Sequence, residues 1–171
     1  MLKKNVAEAL NNQVQVEAFS SNLYLAMASW CEVNGFEGAA SFLYAHSEEE
    51  RMHQMKLFSY INRAGGHAIV PELEKPESDY ENLKSMFEKI LEHEIFVTDT
   101  INKLVDICIS EKDYLTNNFL QWYINEQLEE EDTFKKILDK INMIGIDGRG
   151  LYFLDNELKN LSLSNSTEVT A

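Results

Sequence analysis

Apolar residues recur every three or four positions through most of the chain, and strand-type alternation is sustained nowhere. Val6, Leu10, Val14, Leu25 and Ala28 mark a first helix that opens at Asn5, where Glu8 completes a capping-box pattern, and runs to about Val33. Gly35 and Gly38 bracket a short break. Phe42, Leu43, Leu57, Phe58 and Ile61 then predict a second helix ending near Gly65-Gly66, and the brevity of the break makes the pair an antiparallel hairpin. Residues 65–78 hold Gly65, Gly66, Pro71 and Pro76 without any period, too long for a hairpin turn. Such a connection can run the length of a neighbouring helix and set the third helix parallel to the second. Ser78 with Glu81 forms another capping-box pattern, opening a third helix through Leu83, Phe87, Leu91, Ile101 and Leu104 to about Ser110. Asp113 caps a fourth helix carrying Phe119, Leu120, Ile124, Phe134, Ile137 and Ile141, which Gly145 ends. Each main helix spans about 27 to 30 residues, roughly 40 to 45 Å. Leu151, Phe153, Leu154 and Leu158 predict a short fifth helix from Gly148 to about Leu161, and the Ser-, Thr- and Asn-rich residues 162–171 read as a disordered polar tail.

The expected architecture is therefore all-α: a four-helix bundle with a long crossover between helices two and three, a short C-terminal helix, and one domain over residues 1–161. A chain of 171 residues with 44% apolar content can bury the core this needs. The formal net charge of −14 repels nucleic acid and anionic membrane surfaces, and cations are the natural partners. Cys31 and Cys108 sit in apolar helical patterns without metal-finger spacing and read as core filler. With no signal peptide or membrane-spanning run in the sequence, a reducing cytoplasm is the expected compartment.

Charge interrupts the apolar stripes at particular places. Glu17 lies between Val14 and Ser21-Tyr24 on helix one, and Glu50 and His53 lie between Leu43 and Leu57 on helix two. Glu94 sits between Leu91 and Ile101 on helix three, and Gln127 and Glu130 between Ile124 and Phe134 on helix four. All are near mid-helix and read as inward-facing, so they are expected to meet at one height in the bundle. Glu17 to Glu50 and Glu94 to Gln127 are both 33 positions, and Glu17 to Glu94, Glu50 to Gln127 and His53 to Glu130 are all 77, so the two hairpins echo one another. Burying one unpaired carboxylate costs several kcal/mol, and four together are tolerable only with positive charge between them. No Lys or Arg occupies these positions, whereas two divalent cations would balance Glu17, Glu50, Glu94 and Glu130, with His53 as nitrogen ligand and Gln127 as a neutral donor.

Phe36-Glu37-Gly38-Ala39-Ala40, Glu49-Glu50-x-x-His53, Asn118-Phe119-Leu120-Gln121-Trp122-Tyr123, Glu126-Gln127-x-Glu129-Glu130-Glu131 and Gly150-Leu151-Tyr152-Phe153 match segments of the bacterial non-haem ferritins. The sequence resembles that family over residues 1–161. The resemblance implies a di-iron ferroxidase centre: Glu17, Glu50 and His53 hold a first iron, Glu50, Glu94 and Glu130 a second with Glu50 bridging, and Gln127 stands behind them. It also implies a third iron position at Glu49, Glu126, Glu129 and Glu130, oxidation of Fe(II) by O₂ or hydrogen peroxide, and storage of ferric mineral in a shell of 24 subunits.

Tyr24, on the face of Glu17, and Trp122, one turn before Gln127, are candidates to supply electrons or hydrogen bonds, with packing as the competing role. His46 shares the face of Glu50, His67 lies in the crossover and His93 faces away from Glu94; core or surface roles are expected for all three. Bacterioferritin differs in carrying a second Glu-x-x-His and a haem-ligating methionine where this chain has Gln127-x-x-Glu130 and Arg51, so haem is not expected. A rubrerythrin-like reductase would also carry the second Glu-x-x-His. Mini-ferritins that protect DNA place iron between subunits and lack a fifth helix at this position.

Overall fold

The computed structural model describes residues 2–168, with side chains as far as residue 162. Five helices follow one another, α1 (Lys4–Val33), α2 (Glu37–Arg63), α3 (Leu83–Ser110), α4 (Tyr114–Ile144) and α5 (Gly148–Glu168), and no strand occurs among the described residues. None of the helices is long and apolar enough to cross a membrane. Asp113 caps α4 as its sequence predicts, its carboxylate accepting from the Thr116 amide at 3.0 Å, and Gly145 ends the helix at φ 79°.

Two predicted caps differ. Helix α1 starts at Lys4 behind an uncapped Lys3, and Asn5 instead donates from Nδ2 to Glu111 Oε1 at 2.8 Å, tying the helix to the α3–α4 turn. Helix α3 starts at Leu83, where Asn82 and Ser85 form the capping box: Asn82 Oδ1 accepts from the Ser85 amide at 2.9 Å. Ser78 and Glu81 stay in the crossover because Tyr80 between them is buried edge-on against Trp30, 5.7 Å between rings, which anchors that stretch to α1. Helix α5 continues past the expected end to Glu168, so the expected tail begins within it; residues 169–171 lie outside those described.

Contacts fix the directions. Ser21 and Ser47 exchange hydroxyl–carbonyl bonds across α1 and α2, and Leu2 N donates to Ala64 O at the far end, so these helices are antiparallel. Only residues 111–113 separate α3 from α4, so α4 folds straight back along α3, where Gln127 bonds Glu94, and these helices are antiparallel too. Cys31 touches Met86 while Lys3 pairs with Glu111, so α3 runs against α1 and hence parallel to α2. That arrangement needs the long crossover, which climbs α1: Asn11 bonds His67 and Ile69, and Gln15 bonds Glu72. Helix α5 packs on the start of α2, where Asp155 accepts from the Gly38 and Ala39 amides at 3.0 and 2.8 Å and satisfies donors that a helix N-terminus leaves free. Gly38 is required there, since a Cβ would lie 1.8 Å from the Asp155 carbonyl oxygen.

The interior divides into two apolar layers. One, around Tyr24, Phe42, Phe87 and Phe134, reaches up to Leu154 and Leu158 of α5. The other, around Leu10, Leu57, Ile101 and Tyr123, fills the opposite end. Both cysteines are buried and free, burial pushing the Cys31 thiol up to about 12 and the Cys108 thiol up to about 11, which leaves them unreactive packing groups.

Candidate metal centre

Between the two apolar layers lies a belt of polar side chains. Their burial follows from helical period: Gln13, Glu17 and Tyr24 share the inner stripe of α1, and His46, Glu50 and His53 that of α2 at i, i+4 and i+7. Glu94 on α3 and Gln127 and Glu130 on α4 complete it. Glu17, Glu50 and Glu94 are 1%, 3% and 0% exposed and Glu130 7%, so water does not solvate these carboxylates. No lysine or arginine pairs with any of the four among the described residues.

Glu17, Glu50 and His53 converge: His53 Nδ1 stands 3.3 Å from Glu50 Oε2 and 3.8 Å from Glu17 Oε2. Gln13 donates to the other Glu17 oxygen at 2.7 Å, and the Tyr123 hydroxyl donates to the His53 carbonyl at 2.7 Å, holding the α2 backbone in place. Glu94 is held by neutral donors, the Tyr24 hydroxyl on Oε1 and Gln127 Nε2 on Oε2, the latter at 2.9 Å. Glu130 turns toward α2, its Oε2 3.6 Å from His46 Nε2 and without any hydrogen bond.

Burial raises the pKa of Glu17, with His53 opposing it, and raises that of Glu50 well above the carboxylate range with the charges of Glu17, Glu94 and Glu130 adding to the effect. Glu94 is pushed up to about 7 by burial and then by Glu130, against its bonds from Tyr24 and Gln127. Burial also raises Glu49 and Glu126. For His46, burial works against protonation, but the Glu130 carboxylate outweighs it and the pKa rises. The carboxylate shifts share one leading cause, the removal of negative charge from water. Oxygen and imidazole donors in this number suit a divalent first-row metal.

The residues read from the sequence fall into several groupings. Glu17, Glu50 and His53 form one cluster of potential metal ligands, Glu49, His53 and Glu126 a second, and His46, Glu49 and Glu130 a third. Glu94 meets Tyr24 and Gln127. Glu129 is exposed and joins no cluster of potential ligands among the described residues. Tyr24 is fully buried, stacked 6.0 Å from Phe134 with its hydroxyl on Glu94, so it both packs and donates. Trp122 walls the site 5.1 Å from the His53 ring, with Lys56 Nζ over its outer side at 3.1 Å. His67 is exposed, and His93 packs half-buried against Phe19 with Ser20 on its Nε2 at 2.7 Å. His46 is more than the packing group expected, because it faces Glu130; its i, i+4, i+7 relation to Glu50 and His53 was the available signal. Gln13, between Leu10 and Val14 and one turn from Glu17, was signalled the same way.

A family model described as a ferritin-like domain matches residues 7–144. A probable bacterial non-heme ferritin-like protein of Haemophilus influenzae is 49% identical over 95% of this chain and 98% of its own length. The bacterial non-heme ferritin of Campylobacter jejuni is 48% identical over 96% and 98%. Among solved structures, an open-pore ferritin from the hyperthermophilic archaeon Archaeoglobus fulgidus superposes with a TM-score of 0.91 at 40% identity, covering 93% of this chain and 98% of that one.

Proposed function

Because the chain belongs to the ferritin family, among the bacterial non-haem ferritins, we propose that it is a ferroxidase that oxidises pairs of Fe(II) ions in its bundle and stores the product as ferric mineral. Glu17, Glu50 and His53 take the first ion, and Glu50, Glu94 and Glu130 the second, with Glu50 bridging. The observation that carries this reading is the set of buried carboxylates on four helices with no lysine or arginine among the described residues to balance them.

Two Fe(II) ions give up one electron each. Transfer of both to O₂ with two protons yields H₂O₂, and transfer to H₂O₂ with two protons yields two waters. Gln127 and Tyr24 keep both oxygens of Glu94 bonded and so fix its position while the ions come and go. The second set, which has no histidine at position 130 and a neutral amide at 127, binds more weakly than the first. Weak binding favours release of Fe(III), which hydrolyses outside the site. Glu49, Glu126, Glu129 and Glu130 are the candidates to receive a third ion. The chain works in the cytoplasm as one subunit of a homo-oligomeric shell of 24 copies; among the described residues Tyr114, Leu115, Leu128, Tyr152 and Phe153 are apolar side chains at least 68% exposed, surface that subunit contacts would cover.

The test is anaerobic loading of metal-free protein with Fe(II), followed by mixing with O₂ and stopped-flow absorbance. Glu50→Ala, which removes the bridging carboxylate, is expected to lower the initial rate at least a hundredfold. A Glu50→Ala protein with the native burst would show that oxidation happens elsewhere.

A further inference from the structure

We propose that His46, Glu49 and Glu130 form a further divalent-cation site in which His46 supplies the nitrogen ligand. Each offers an atom within 4.8 Å of the others. His46 is built as a ligand would be. Its Nδ1 lies 3.1 Å from the Phe42 carbonyl oxygen, which can only accept, so the neutral ring keeps its proton on Nδ1 and its lone pair on Nε2, the form in which it binds a metal. The rings of Phe42 and Phe134, 4.2 and 5.4 Å away, hold its plane. Opposite Nε2 stands Glu130 Oε2, in a side chain more than nine-tenths buried, with no hydrogen-bond partner. Such an orphaned oxygen is costly in a dry interior unless something positive meets it.

The 3.6 Å between Nε2 and Oε2 is too long for a hydrogen bond, yet it matches two ligands on one ion: bonds of about 2.1 Å at the tetrahedral angle put donor atoms roughly 3.4 Å apart. Glu49, half-buried at the rim, closes the third side. This proposal rests on the reading of the bundle interior as a cation-binding centre and extends it. It differs from the third position that the family resemblance implies, since the nitrogen comes from α2 and the exposed Glu129 takes no part. Glu130, a ligand proposed for the second iron, belongs to both sets, so rotation of one side chain gives an ion its next position.

Zinc, which undergoes no redox change, separates binding from activity. Crystals of the native protein stripped of metal and soaked in Zn(II) are expected to show anomalous density within bonding distance of His46 Nε2 and Glu130, in addition to density at Glu17, Glu50 and His53. In calorimetric titration, His46→Phe, which keeps an aromatic ring between Phe42 and Phe134 but has no donor atom, should bind one zinc fewer per chain. Zinc on Glu17, Glu50 and His53 with none on His46, or an unchanged count in His46→Phe, would overturn the His46 site alone. No zinc at either cluster would overturn the functional reading along with it.

Discussion

The α1–α2 and α3–α4 hairpins present polar residues at one spacing, 33 positions between Glu17 and Glu50 and between Glu94 and Gln127, but they accommodate buried charge differently. In the first hairpin the answer is internal: His53 stands within 4 Å of both Glu17 and Glu50. In the second, no basic side chain of the hairpin itself pairs with Glu94 or Glu130 among the described residues. Glu94 takes a hydroxyl from Tyr24 of α1 and an amide from Gln127, and Glu130 reaches across to His46 of α2. The repeat thus fixes where side chains sit without fixing how their charge is met, and the second hairpin depends on the first.

The largest expected consequence concerns Glu94 in metal-free protein. Its folded pKa of about 7 exceeds the ordinary 4.5, so the folded state binds its proton more tightly than the unfolded chain does. The resulting penalty is absent below pH 4.5, grows as pH rises toward 7, and is fully present above; at about 1.4 kcal/mol per pH unit it reaches about 3 kcal/mol. Glu94→Gln removes it while its amide oxygen still accepts from Tyr24. Urea unfolding should find the metal-free variant more stable than the native protein at pH 8 by up to that amount, with the gap closing at pH 4.5. An equal difference at both pH values would mean that the second hairpin carries no uncompensated charge.

A smaller effect is expected from making the second hairpin copy the first. Gln127→Glu combined with Glu130→His gives α3 and α4 the pattern of α1 and α2, one Glu on the first helix and Glu-x-x-His on the second. Loss of Zn(II) to a chelator should slow at least tenfold, about 1.4 kcal/mol, and continuous iron oxidation should slow after a normal first burst. If release stays at the native rate, ligand asymmetry is not what frees the second ion.

The asymmetry of ligand type was legible in the sequence, because Gln127 and Glu130 stand where Glu50 and His53 stand one repeat earlier. So were the helices, since each buries one stripe and the stripe repeats with the helical period. Those stripes also placed Glu17, Glu50, His53, Glu94, Gln127 and Glu130 inside. Helix starts were less legible: Asn5 and Ser78 have the local pattern of caps, but contacts from Glu111 and the Tyr80–Trp30 pair, distant along the chain, decide where α1 and α3 begin. The Asp155 cap on α2 comes from 117 positions away and leaves no local trace. The contact between His46 and Glu130 was hidden for the same reason: the face of each helix is periodic, whereas the partner that a side chain meets across the bundle, 84 positions away here, is not.

Tyr24 carries the smallest predicted effect and the finest distinction, because it is the group that α1 lends to the second hairpin. Tyr24→Phe keeps the ring stacked on Phe134 and removes only the hydroxyl that bonds Glu94 Oε1. That bond favours the charged carboxylate, so its loss raises the Glu94 pKa further and costs more when the group is ionised. Metal-free Tyr24→Phe should therefore lose about 1 kcal/mol at pH 8 and less at pH 5, where Glu94 is protonated in both proteins. A loss of the same size at both pH values would make Tyr24 a packing residue whose hydroxyl is incidental. A loss that grows with pH would show that the second hairpin holds its charge with a group borrowed from α1.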